Sequence, residues 1–181
     1  MSILSVYQDT AHEQPLKVLT HLEDIAPTLA EVGVRLERRE ASGLISAGAS
    51  PQDVMTAYRP YIDRLRQERG HAVFEVISVS SDHPEETEKR ARILEEHQHG
   101  EDEMLFVVAG RGLLNLHIAD KVFALLCEKS DLISLPAGTR QWFDMGEDPR
   151  LVAIRLFNNP AGRITERTGD DIASRFPRLD Q

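Results

Sequence analysis

From Glu103 to Phe157 the chain is a succession of short apolar runs cut by turn residues, and this rhythm limits the available folds more than any other feature. The runs are Met104–Val108, Leu113–Ile118, Lys121–Cys127, Leu132–Leu135, Gln141–Phe143 and Leu151–Phe157, separated by AGRG, Ala119-Asp120, EKSD, PAGT and DMGEDP. Runs this short favour strands over helices, and turn chemistry at this spacing folds the chain back on itself. An antiparallel sandwich or barrel is the expectation. GRG at 110–112 reads as a hairpin turn, too short for a phosphate loop.

The first half is mixed. Ile3 to Tyr7 alternates like a strand, and Leu22, Ile25, Leu29 and Val32 recur at helical spacing up to Gly33. Proline disfavours helix in the residue before it, so that helix is expected to start near Glu23 or Asp24, with Pro27 in its first turn. Ser50-Pro51 is a good helix start, followed by Val54, Ala57, Tyr58, Tyr61, Ile62 and Leu65 on one face and closed by Gly70, with a kink expected at Pro60. Val73 to Val79 reads as a strand, and Pro84-Glu85-Glu86 opens a charged helix to about Leu94.

Composition narrows the partners. Acidic residues outnumber basic ones 30 to 21, for a formal net charge of −9, so a nucleic-acid backbone or an anionic membrane surface would be repelled on average. No apolar run approaches the ~20 residues that span a bilayer. The N-terminal MSILSVYQDT lacks a cationic lead and an apolar core, and the single Cys127 excludes an intrachain disulfide. A cytoplasmic protein without nucleic-acid or membrane partners is the expectation.

The stretch EEHQHGEDE at 95–103 carries the chemistry. His97 and His99 are two apart, so an extended segment points both imidazoles to one face, and Glu103 enters the next strand where its carboxylate can turn toward them. Two nitrogens and one oxygen suit Fe(II) and leave coordination positions open. The alternative is a solvated polar loop between a helix and a strand. Against it, Gly110 follows Glu103 after six residues, at the point where the β region begins.

HxHxxxE with that glycine resembles the first motif of the cupin superfamily, whose second motif, PxGxxH, is matched by Pro136-Ala137-Gly138-Thr139-Arg140-Gln141. More narrowly, the chain is similar to the acireductone dioxygenases of methionine salvage. The resemblance rests on HGEDE at 99–103, FVVAGRGLLNLHI at 106–118 and LCEKSDLISLPAGT at 126–139, and on WFDMGE at 142–147, IRLFNNP at 154–160 and TGDDIASRFPRL at 168–179. It runs over nearly the whole chain.

The resemblance implies a mainly β fold, a cupin-type antiparallel barrel (jelly roll) with peripheral helices from the N-terminal half. Residues 1–181 would form one cupin domain, with a helix-rich part at 1–95, a barrel core at 97–160 and a tail at 161–181. It implies a monomer binding one Fe(II) or Ni(II) through His97, His99, Glu103 and the residue at 141, with Glu103 also the catalytic residue. The implied reaction cleaves an enediol ketone bearing a methylthio group with dioxygen. Iron would give formate and the 2-keto acid precursor of methionine; nickel would give carbon monoxide, formate and methylthiopropionate.

Three positions depart from the family. Gln141 replaces the fourth ligand, a histidine, and a neutral amide oxygen should hold nickel less well than imidazole does. Leu105 replaces an arginine two residues beyond Glu103, on the same strand face, so a cation able to orient an enediolate has become an alkyl group. Arg163 stands where a tryptophan is common.

His117 belongs to the family's own LHI phrase and reads as packed or hydrogen-bonded rather than a substitute ligand. His12, His21, His71 and His83 have no ligand-like spacing and read as surface or structural. Phe106 and Trp142 read as wall or core residues, and Cys127 as a buried apolar group. Because two departures fall on one cavity, a catalytically impaired binding or regulatory homologue is the alternative function; a cupin of other metal chemistry is a third.

Overall fold

Eleven strands pair antiparallel in the computed structural model, which describes residues 2–41, 45, 48–71, 73–80, 93–160 and 164–179. In chain order they are β1 (Ile3–Gln8), β2 (Lys17–Leu19), β3 (Arg35–Arg38), β4 (Val73–Ser80), β5 (His97–Gln98) and β6 (Glu103–Ile118). There follow β7 (Lys121–Glu128), β8 (Asp131–Leu135), β9 (Arg140–Asp144), β10 (Arg150–Phe157) and β11 (Glu166–Arg167). Among the described residues, two helices, α1 (Leu22–Ala30) and α2 (Pro51–Arg69), interrupt the first half.

The long strand β6 belongs to two sheets. Its first half pairs with β10 and β8, extending to β4 and β3; its second half pairs with β7 and β9, in the order β11-β5-β9-β6-β7-β1-β2. The expected hairpin at GRG is therefore a corner. The strand runs on through 110–112 while changing partners, with Gly110 at φ 74° opposite Leu151. A bend that hands a strand from one sheet to the other uses the same glycine chemistry as a tight turn.

Strand alternation sorts the side chains. Leu105, Val107, Leu114 and Leu116 of β6 face inward with Leu4, Val6, Phe123, Leu125 and Cys127, forming the core between the sheets. Met104, Phe106 and Val108 face outward with Val152, Ile154 and Leu156, where Val54, Tyr58, Ile62 and Leu65 of α2 cover them. Four buried side chains on that helix contribute about 6–12 kcal/mol as an upper estimate. Trp142 faces outward on β9 beneath Ile172, Ala173 and Phe176, so Phe106 and Trp142 are core residues, as is Cys127.

The first part of the chain contributes strands to the barrel, β1 and β4 as its sequence suggested and β3 besides. β1, β3 and β4 pair with β7, β8 and β10, so the barrel draws strands from before residue 97, and β11 brings the expected tail into the sheet. α1 begins at Leu22, with His21 at its N-cap, so Pro27 lies beyond the first turn. α2 matches expectation at both ends: the Ser50 hydroxyl accepts from the Asp53 N–H at 3.2 Å and Gly70 closes it at φ 75°. It runs unbroken through Pro60. The charged helix expected from Pro84 falls mostly outside the described residues, as do His83 and Arg163.

Candidate metal centre

β5, β6 and β9 bring the two sequence motifs together. His97 on β5 lies directly opposite Gln141 on β9, His99 follows the end of β5, and Glu103 opens β6 opposite Leu135 and Phe157. All four residues line one cavity, with Leu105, Ile77, Leu135, Met145, Leu151 and Arg155 among its other walls. They are 3–6% exposed. The loops that carry them are lashed together, with the Gly138 N–H donating to the His99 carbonyl at 2.8 Å and the Ala137 N–H to Asp102 Oδ1 at 2.7 Å.

Backbone carbonyls set the imidazole tautomers. His97 Nδ1 lies 2.8 Å from the Glu95 carbonyl and His99 Nδ1 3.1 Å from the Ile164 carbonyl. A carbonyl only accepts, so Nδ1 carries the proton in both rings and Nε2 keeps its lone pair. Burial, opposed by the Glu95 carbonyl and Glu103, pushes His97 below the ordinary histidine pKa and favours the neutral ligand form. Burial would raise the Glu103 carboxyl, but the Arg155 charge and the hydrogen bonds donated by Arg155 and Gln141 outweigh it and hold Glu103 below the ordinary value.

Arg155 supplies the cavity's cation, and sequence reasoning missed it. Its Nη2 donates to Glu103 Oε2 at 2.8 Å and stands 3.1 Å from His99 Nε2. It lies directly opposite Leu105 across the β6–β10 pair. Leu105 therefore does not leave the cavity without a cation, because Arg155 stands on the neighbouring strand. The signal was available: in LVAIRLF at 151–157, Arg155 interrupts the inward-facing parity of an otherwise apolar strand.

The donors of this cavity are spread around that guanidinium. Among the described residues, the three His or carboxylate ligand atoms that all lie within 4.8 Å of one another are instead those of Glu96, His117 and Asp170. Both His117 nitrogens there are already engaged, Nδ1 with Glu96 Oε2 at 2.5 Å and Nε2 with Asp9 Oδ2 at 3.2 Å. Glu96 Oε1 accepts from the Thr168 hydroxyl at 2.6 Å. This group is a hydrogen-bond network on the opposite sheet face from the cavity. It ties the backbone beside His97 to β6 and to the C-terminal segment. His117 is thus hydrogen-bonded, as expected. Of the remaining histidines, His21 is exposed, His12 is half-buried beside Phe176, and His71 is buried with Nδ1 unpartnered.

Comparison with known proteins identifies the family. The sequence model of the ARD/ARD′ family matches residues 4–165. The chain belongs to the ARD/ARD′ family, the acireductone dioxygenases. An acireductone dioxygenase of Stutzerimonas stutzeri is 66% identical over 180 residues, 99% of each chain. One from Pseudomonas aeruginosa (strain UCBPP-PA14) is 62% identical over the same span, again 99% of each chain. A solved acireductone dioxygenase from Bacillus anthracis, described with a cadmium ion in its active center, superposes with a TM-score of 0.78 at 26% identity. That match covers 91% of this chain and 97% of the other. The cupin-type barrel is therefore the fold of an acireductone dioxygenase family member.

Proposed function

We propose that this chain is a metal-dependent acireductone dioxygenase of methionine salvage, acting on an enediol ketone bearing a methylthio group and on dioxygen. The observation that carries the proposal is the pair of buried histidines, each with Nδ1 committed to a carbonyl and Nε2 left basic, beside the ionised Glu103 on one cavity wall. That donor set fits Fe(II) or Ni(II), with His97, His99 and Glu103 as ligands and Gln141 at the fourth place of the pattern. Such a metal, when bound, acts as Lewis acid and template for an enediolate. Glu103 serves as the catalytic carboxylate at that centre.

The protein's own residues supply orientation and charge. Arg155 is placed to pair with the anionic enediolate once its hydrogen bonds to His99 and Glu103 are exchanged. Ile77, Leu105, Leu135, Met145 and Leu151 form an apolar wall suited to the methylthio tail. Burial excludes water, which strengthens each of these interactions. The reading includes a monomer in the cytoplasm; among the described residues no helix is long and apolar enough to cross a membrane.

The test is oxygen uptake with acireductone after anaerobic loading with Fe(II) or Ni(II), with product analysis for formate and carbon monoxide. Metal-loaded protein that consumes neither oxygen nor acireductone above the metal-free background would sink the proposal.

A further inference from the structure

Gln141 occupies the place of a ligand, yet its contacts suit a different task. Nε2 lies 2.9 Å from Glu103 Oε1 and, at the long limit of a hydrogen bond, 3.5 Å from the Thr139 carbonyl oxygen. The carbonyl cannot donate, and Glu103 already receives Arg155 on its other oxygen. The atom set between two acceptors is therefore the NH2 group. An amide nitrogen, its lone pair delocalised into the carbonyl, does not bind a divalent metal. Turning the amide over to present Oε1 would place an acceptor against two acceptors and forfeit both donated bonds.

Building on the metal-centre reading above, we infer that Gln141 is a positioning residue for Glu103 and not a fourth ligand. The resident metal is then held by His97, His99 and Glu103 alone. Two histidines and one carboxylate on one face, with three positions open, are the donor set of non-haem Fe(II) oxygenases. Affinity rises from iron to nickel most steeply when the donors are nitrogens, so a site with one imidazole fewer discriminates less in favour of nickel. The glutamine keeps the carboxylate oriented, as hydrogen-bonding partners outside the ligand set do in other metal sites.

The test loads full-length parent, Gln141→Leu and Gln141→His anaerobically. It measures Fe(II) and Ni(II) affinity by chelator competition and records the ligand-field spectrum of the Co(II)-loaded proteins. Gln141→Leu is expected to leave the Co(II) bands in place while weakening Fe(II) and Ni(II) alike, by about tenfold, the loss typical of removing such a partner. Gln141→His is expected to shift the Co(II) bands and to tighten Ni(II) more than Fe(II). Displaced Co(II) bands in Gln141→Leu, or a loss of Ni(II) affinity far exceeding that of Fe(II), would overturn the inference and leave the metal centre standing. A parent that binds none of the three metals would instead remove the metal-centre reading itself.

Discussion

Gly110→Ala should destabilise the barrel by about 2–5 kcal/mol, whereas Gly70→Ala, at nearly the same backbone angle, should cost only about 1–2 kcal/mol. Both glycines have positive φ, 74° and 75°, so an alanine at either must enter the left-handed region. Their surroundings differ. A Cβ at Gly70 would meet nothing within 4 Å, while one at Gly110 would stand 1.8 Å from the Arg150 carbonyl oxygen and 2.6 Å from its carbon. That contact is with backbone, so no rotamer change relieves it, and β10 must withdraw from β6 by more than an ångström. The added overpacking cost is about 1–3 kcal/mol. Urea unfolding of the two variants and the parent reads the difference directly, since Gly70→Ala isolates the conformational part. Equal losses in the two variants would refute the close-approach argument and reduce Gly110 to an ordinary turn residue.

Other consequences are as direct. Arg155→Leu leaves the Glu103 carboxylate buried without its cation, so the metal-free protein should lose about 3–5 kcal/mol and recover much of it on adding Ni(II); thermal melts with and without metal check this, and a loss under about 1 kcal/mol counts against it. Burial pushes His71 below its ordinary pKa, despite the opposing pull of Asp102 and Asn158. The unfolded chain therefore binds the extra proton first, and stability falls as pH drops from about 6.5 toward the folded value, by up to ~1.4 kcal/mol per pH unit for this group. His71→Gln should flatten that slope in pH-dependent denaturation, leaving the contribution of His97, which has the same sign; an unchanged slope removes His71 from the account. Thr168→Val deletes the hydroxyl donated to buried Glu96 and should cost about 1–3 kcal/mol in urea unfolding; a neutral result would mean the network does not anchor the C-terminal segment.

What could be read from the sequence was whatever depends on neighbours along the chain. The strands after Glu103 announce themselves because alternation and turn chemistry are local, and α2 does so through Ser50, Pro51 and Gly70. β2 and β3 do not. KVL and RLER are short and polar, with Leu36 the one buried residue between them, and they become strands because β1 and β8 offer them an edge. The corner at Gly110 shows the same limit. A glycine at positive φ is predictable from its neighbours, but whether the chain then doubles back or crosses to another sheet is decided by β10 and β7, far away in sequence.

The site divides along the same line. The proposed ligands His97, His99 and Glu103 sit two and four residues apart in one segment, so their shared face follows from strand periodicity alone, and only their neighbour Gln141 had to be supplied by a distant strand. The cation could not be read that way. Leu105 considered by itself suggests a cavity stripped of positive charge, because the sequence neighbour that matters, Arg155, is joined to it only through the register of β6 against β10. What an anionic substrate meets is the summed field of the cavity, and one guanidinium contributes to it from either strand of the pair. A substitution at a site wall is therefore weighed together with its cross-strand partner: Arg155, which belongs to the IRLFNNP phrase of the family resemblance, keeps one positive charge in the cavity but does not restore the charge that the resemblance implies at position 105.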